Sequence, residues 1–286
     1  MIKFTILFIT KNRTDIFKSL NSCLKIKKYH RNLQIIILDG NKNNYLSHKI
    51  KYFEGKVDIK IIKQKKNGFM NACFEAIKHL DKGFFTFMYD DDILSPYFGK
   101  LVNYSCKKNK QIYGYGIIHP KKKLFKFKQP RIKSISKKDI NFLAEYFKIK
   151  STKVLPNSPI TSIFNVKIVK KWNYVLKNKI KDEISEHLMI KKNIGPDLLL
   201  YLLSLEYDYK LNNTIVTQNV VAKFSSHSDS MSIQYGSSNL RFGYWVAKKI
   251  FLDIVKIKNL IGRHLILIHL IKGFFISLLF NLNNKQ

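Results

Sequence analysis

The sequence predicts an α/β protein: a doubly wound, mostly parallel sheet followed by a helical C-terminal extension. Three observations carry this. Over roughly the first hundred residues, short apolar runs rich in β-branched side chains alternate with stretches of helical spacing. Those runs are continuous rather than alternating, as in parallel strands covered on both faces. Polar residues stand at the end of each run, where an open α/β sheet gathers its ligands.

The first element is the strand Ile2 to Thr10, followed by polar residues from Lys11 to Asp15 and a helical pattern through Ile16, Leu20, Cys23 and Leu24. A second buried strand, Leu33 to Leu38, ends at Asp39 and Gly40, and a third runs from Asp58 to Lys63. After Asn67 and Gly68 a helix is marked by Phe69, Ala72, Cys73, Ala76, Ile77 and Leu80 at spacings of three and four. Gly83 ends it, and Phe84 to Met88 make the next strand. The crevice at the strand ends is then lined by Thr10 to Arg13, Asp39 to Asn41, Asn67, and Tyr89 to Asp92. Beyond it, the Lys-rich stretch from Lys107 to Lys138, with Gly114, Gly116, Pro120 and Pro130, reads as hairpins or an excursion whose strands the pattern does not place. Gly195 and Pro196 lead into a helix near Asp197, and Leu240 to Lys258 reads as an amphipathic helix. Leu260 to Leu282 is strongly apolar but carries Arg263, His264, His269 and Lys272, which makes it a poor membrane-spanning segment. Two readings stay open for it: a helix packed on the core, or one lying at a membrane interface with its cations at the headgroups.

With 286 residues, 45% of them hydrophobic and 13% aromatic, the chain has the material for a large core and is no disordered segment. Its formal net charge of +33 favours anionic partners. Nearly all of that charge is Lys, since the arginines are only Arg13, Arg31, Arg131, Arg241 and Arg263. A scattered Lys excess lacks the planar Arg fork of base-edge readers and argues against nucleic acid. Cys23, Cys73 and Cys106 form no C-x-x-C pair, and Met1 to Thr10 lacks the layout of a signal peptide, so a cytoplasmic protein is expected.

The most informative feature is Tyr89-Asp90-Asp91-Asp92, three consecutive carboxylates directly after a buried strand. Like charges so close repel unless a counter-ion is present. Hard oxygen ligands suit Mg²⁺ or Mn²⁺, ions that keep positions open for substrate phosphates. A helix cap or acidic turn would need one Asp, not three. Asp39 by itself also fits an ordinary Asp-Gly turn.

Taken together, these segments resemble the family 2 glycosyltransferases of the GT-A fold, with gaps, from about Ile2 to Ser232. The resemblance implies a glycosyltransferase domain over 1–223, with a nucleotide-sugar half over 1–104, an acceptor half over 105–223 and a C-terminal extension over 224–286. It implies that Thr10, Arg13, Asp39, Asn67 and Asp90 bind the donor, with Asp39 accepting a hydrogen bond from the base. Asp91, Asp92 and His227, the last within Phe224 to Ser232, are implied as ligands of Mg²⁺ or Mn²⁺. Tyr89 departs from the family pattern, in which an acidic residue is usual at that place. Leu155 to Asn165 is similar to the segment that lines the donor sugar and acceptor. Asp197, in Ile194-Gly195-Pro196-Asp197-Leu198, resembles the acidic general base of an inverting transfer; Glu183 and Glu186 compete for that role. The implied reaction moves a sugar from a nucleotide-diphosphate donor to a cell-surface glycan such as lipopolysaccharide or capsule, at the inner face of the cytoplasmic membrane or free of it. A nucleotidyltransferase of similar fold would show a glycine-rich loop after the first strand, which Thr10-Lys11-Asn12-Arg13 lacks. A non-catalytic basic protein binding membrane or nucleic acid leaves the triple Asp without a purpose.

Overall fold

The structure, a computed structural model, describes residues 2–11, 16–41, 46, 50–118, 126–135, 142–148, 155–156, 158–180, 182–211, 214–225, 236–255, 265–273 and 275. The chain divides into two compact units. The first comprises Met1–Ile135, Pro156–Lys170 and Asn213–Ser226; the second comprises Ser136–Leu155, Lys171–Asn212 and His227–Gln286. The expected half 1–104 thus lies in the first unit, whereas 105–223 contributes to both.

The strands of the first unit are β1 (Phe4–Thr10), β2 (Leu33–Asp39), β3 (Asp58–Lys63), β4 (Phe84–Tyr89), β5 (Ile93–Leu94), β6 (Tyr113–Ile118), β7 (Ile132–Ile135), β8 (Phe164–Asn165) and β9 (Thr214–Phe224). Among the described residues one sheet has five strands in the order β3-β2-β1-β4-β8. Its first four strands are parallel, and only β8 runs antiparallel, against β4. The predicted class is therefore the observed one. Every residue of β1 is buried, and so is almost all of β2 and β4, because helices cover both faces. One side is packed by α1 (Phe17–Leu24) and α3 (Phe98–Lys108), whose Leu20, Cys23, Phe98, Leu101 and Val102 join Phe4, Ile6, Phe8, Ile35 and Ile37. Against β1 and β2 lies α2 (Phe69–Ile77), burying Met70, Ala72, Cys73, Phe74, Ala76 and Ile77.

The expectation of a buried third strand is corrected: β3 is the sheet edge, and Asp58, Lys60, Ile61 and Lys63 are exposed. An edge strand carrying lysines resists pairing with another chain, which is the physical sense of its composition. The second sheet forms around β9, which pairs in parallel with β6 and antiparallel with β5 and β7. β6 and β7 lie in the Lys-rich stretch that the sequence pattern left unplaced. Their hydrogen-bonding partner is β9, far along the chain, so no local hairpin signal announces them. All three cysteines are buried and free, and burial pushes the thiols of Cys23 and Cys106 up to about 12.

The division between the units falls within α4 (Val166–Asn178). The second unit holds α5 (Pro196–Lys210), α6 (Gly236–Ile254) and a helical segment, α7, at 265–273. Apolar residues surround α5 on nearly every side, and it packs against α6. Their approach is set by two glycines. A Cβ at Gly195, whose φ is +99°, would stand 2.6 Å from the Gly243 carbonyl oxygen, and one at Gly243 would stand 2.3 Å from a methyl of Ile194. Glu206, buried on α5, pairs with Lys171 at 3.3 Å and with Lys210. Among the described residues no helix is long and apolar enough to cross a membrane.

Gly243→Ala is expected to lower stability by ~1–3 kcal/mol, the usual range for overpacking a tight contact. Chemical denaturation followed by circular dichroism checks this, and an unchanged midpoint would contradict the close approach.

Candidate active site

The strand order places β1 between β2 and β4, so the chain first winds outward to β3 and then returns to the other side of β1. The crevice beyond the carboxyl ends of β1 and β4 is the switch point of such a sheet. Register brings the chemistry to one level: Thr10 lies opposite Asp39, Asp39 opposite Lys63, and Ile9 opposite Tyr89.

At the switch point Thr10 Oγ1 donates to Asp90 Oδ2 at 2.7 Å, and the Lys11 N–H donates to the same oxygen at 3.2 Å. Ser19 Oγ, on α1, donates to the Asp90 carbonyl at 2.9 Å. Asp90 is thereby anchored to β1 and α1. The next two carboxylates belong to a turn closed by the end of β9. Ser225 N donates to Asp92 Oδ1 at 3.1 Å, and Ser225 Oγ donates to the Asp91 carbonyl at 2.6 Å. Asp92 is buried while Asp90 and Asp91 are half-buried. Burial, then the charge of Asp91, pushes the Asp92 carboxyl up to about 8; the Ser225 N–H opposes the rise and Asp90 adds to it.

Asp39 is buried at the end of β2 with both oxygens engaged. Oδ1 accepts from the Asn41 N–H at 2.9 Å and from Asn41 Nδ2 at 2.7 Å, and Oδ2 pairs with Lys63 Nζ at 2.5 Å. A buried carboxylate needs such partners. Asn67 is exposed just before α2, in a loop held by Gln64 Nε2, which donates to the Gly68 carbonyl at 2.8 Å, and by Glu75, which accepts from the Lys65 and Lys66 N–H groups. Phe69 meets Tyr89 edge-on at 5.5 Å between ring centroids. Thr10, Asp39, Asn67 and Asp90 to Asp92 therefore all belong to the first unit at strand ends or the loop before α2. Arg13 and His227 lie outside the described residues. Lys63 and Ser19 are contributors that sequence reasoning missed, although Lys63 had a signal, since it ends the strand that follows Asp39 and falls in register with it. Ser225 lies in the Phe224 to Ser232 segment of the resemblance, but its contacts with Asp91 and Asp92 show only once β9 is placed.

The donor set fits a divalent cation in one respect. Asp91 and Asp92 are adjacent oxygen donors in a turn where burial, and then the crowding of charge, drives Asp92 toward its protonated form, a pressure that a dication relieves. It is an incomplete cage: among the described residues no three His, Cys, Asp or Glu side chains converge as a metal site.

Asp197 belongs to the second unit. It stands in the first turn of α5, whose start is held by Trp172 Nε1 donating to the Pro196 carbonyl at 2.7 Å. Burial pushes its carboxyl up to about 6, against the backbone N–H groups of Leu198 and of Asp197 itself. The glycine contact between α5 and α6 brings Tyr244 near it; the Asp197 carboxylate, then burial, raises the Tyr244 phenol above its ordinary range. Of the competitors, Glu183 and Glu186 lie on a short exposed helical turn capped by Asp182.

The family described as glycosyl transferase family 2 matches this sequence over residues 5–172. No curated protein sequence matches the chain. Among solved structures, S. aureus TarS 1–349 in complex with UDP-GlcNAc superposes with a TM-score of 0.59 at 15% identity, covering 88% of this chain and 66% of that one. TarS 1–349 with UDP gives a TM-score of 0.55 at 14% identity, with 88% and 65% covered, and a longer TarS chain gives 0.55 at 14% with 88% and 39%. The chain thus spans less than two thirds of each of these chains, and at such identity the likeness shows the fold.

Two outcomes test this geometry. Thr10→Val removes a hydrogen bond to a carboxylate and is expected to lower stability by about 1.5–3 kcal/mol in urea unfolding. The folded state holds the Asp197 proton up to about pH 6, whereas the unfolded chain releases it near the ordinary 3.8. Stability therefore falls as pH rises between those values, and the full penalty stands above about 6. Asp197→Asn should raise stability at neutral pH by about 2 kcal/mol and lose that gain as the pH approaches about 4; an equal effect at both pH values would refute the shift.

Proposed function

The chain belongs to glycosyl transferase family 2, and from that premise we propose that it is a glycosyltransferase that transfers a sugar, with inversion, from a nucleotide-diphosphate sugar to a cell-surface glycan. The observation that carries this reading is the carboxylate turn Asp90 to Asp92 at the switch point, level with Asp39 on the neighbouring strand. UDP is the first nucleotide to consider, since a structure of similar fold is a complex with UDP-GlcNAc.

In this reading the nucleoside lies over the end of β2, where Asp39, held rigid by Lys63 and Asn41, accepts a hydrogen bond from the base. Thr10 and Lys11 set the floor beneath the diphosphate by fixing Asp90, and Arg13 and Asn67 are the further donor-binding residues. Asp91 and Asp92, with His227, hold Mg²⁺ or Mn²⁺, which when bound offsets the charge of the departing diphosphate. Asp197 accepts the proton of the attacking hydroxyl. A carboxyl near 6 is ionised at neutral pH yet more basic than an ordinary Asp, which suits a general base. The expected transition state has oxocarbenium character at the anomeric carbon, and inversion follows from a single displacement with no covalent intermediate. The expected setting is the cytoplasm.

Calorimetry with UDP, GDP, dTDP and CDP, each with and without Mn²⁺, tests the donor site. One nucleotide is expected to bind in a metal-dependent way and to lose that dependence in Asp91→Asn combined with Asp92→Asn; metal-independent binding to all or none would sink the proposal. Asp197→Asn is expected to reduce transfer by roughly 10²–10⁴-fold while nucleotide binding persists. In the wild type the rate should fall as pH drops through about 6, because protonation removes the base. A flat profile across that range would exclude Asp197 from the role.

A further inference from the structure

We propose that the second unit carries a docking surface for an anionic phospholipid bilayer, formed by Leu267, Leu270, Ile271 and Phe275 with Lys272 among them and Lys248 of α6 close to Lys272. The sequence of α7 and the residues after it is Leu265-Ile-Leu-Ile-His-Leu-Ile-Lys-Gly-Phe-Phe275, which contains no acidic residue. Its inward face is made by Leu265, His269 and Gly273, at spacings of four. That face sits tightly on α6. Trp245 Nε1 donates to the His269 carbonyl at 3.2 Å, the two rings stack at 5.9 Å, and a Cβ at Gly273 would stand 2.1 Å from Trp245 Nε1.

The opposite face is the unusual one. Leu267, Leu270, Ile271 and Phe275 are 59%, 52%, 51% and 60% exposed, and their spacing of three, four and eight from the first puts them on a single stripe. An ordinary surface helix turns its apolar stripe inward and its polar face to water. On α7 large apolar residues stand outward as well as inward, and an outward apolar stripe is the arrangement of a contact surface.

Charge identifies what covers it. Lys248 Nζ lies 5.7 Å from the Phe147 ring, which packs edge-on against His269 at 5.5 Å. Burial and the charge of Lys272 push Lys248 down to about 8, and burial with both lysines pushes His269 down to about 4. Among the described residues buried His269 Nε2 has no hydrogen-bond partner. Lys249, the next residue of α6, acts by its charge on Asp182. A bilayer surface supplies both complements at once: phosphates for the lysines, and the acyl boundary for the stripe, with lysine stems reaching back to the headgroups. Each Lys close to an anionic leaflet raises affinity about fivefold.

Flotation of the full chain with phosphatidylcholine vesicles, and with vesicles that also contain phosphatidylglycerol, tests the proposal. The wild type should float with the anionic vesicles only. Leu270→Ser with Ile271→Ser and Phe275→Ser, and separately Lys248→Gln with Lys272→Gln, should each weaken binding by about tenfold or more. Lys107→Gln with Lys108→Gln, exposed at the end of α3 in the first unit, removes equal charge and should leave binding near the wild-type level. Equal losses in the two lysine pairs would mean that diffuse charge alone drives association. Absent binding to anionic vesicles, or serine variants that bind as the wild type, would overturn the proposal. So would serine variants that convert a vesicle-free oligomer to a monomer, since the stripe would then join copies of the chain.

Discussion

The parallel, in-register pairing of β1 with β2 on one side and β4 on the other is the constraint from which the candidate site follows. Because these strands end level with one another, Thr10, Asp39 and the turn after Tyr89 open on the same edge of the sheet. The hydrogen bonds from Thr10 and Lys11 to Asp90 then lock the turn across the switch point, and Ser225 from β9 holds it from the second sheet. A slip of one residue in either pairing would turn Asp39 or the apolar residues before it to the wrong face, since side chains alternate along a strand.

A chain with 52 basic and 19 acidic residues makes its buried carboxylates informative. Asp39 pairs with Lys63, Glu206 with Lys171 and Lys210, and Glu145 with Lys148. These pairs satisfy buried charge in the ordinary way. Buried Asp92 and half-buried Asp197 differ. Their named hydrogen-bond donors are backbone N–H groups, and burial raises both carboxyls, Asp92 further so because of its neighbours' charges. Among the described residues neither of them pairs with a lysine.

Much of the fold was legible because burial writes itself into local pattern. The runs ending at Thr10, Asp39 and Tyr89 read as strands for the same reason that they are buried on both faces, and the three- and four-residue spacing after Gly68 read as α2. The edge position of β3 was not legible, since Ile59, Ile61 and Ile62 look as apolar as a central strand, and strand order is a property of the sheet and not of the segment. β6 and β7 were hidden because β9, their hydrogen-bonding partner, follows about eighty residues or more later. Nor did any local signal mark Leu267, Leu270, Ile271 and Phe275 as the outward face, because an apolar helix has no visible inside until its neighbour is known.

The sequence by itself determined the α/β class, the chemical identity of the carboxylate turn and the family to which the chain belongs, since each depends on residue types at short spacing. Tertiary structure alone decided that Asp90 is anchored by Thr10 and Lys11, that Lys63 completes Asp39, that Ser225 reaches Asp92, and that Tyr244 stands by Asp197. Those contacts join residues from 24 to 133 positions apart, most of them brought within 3 Å or so only when strand register and the close approach of glycines to neighbouring backbone set the distance. Local pattern specifies what each segment is, whereas burial, and with it the raised carboxyls of Asp92 and Asp197, exists only once the segments have packed.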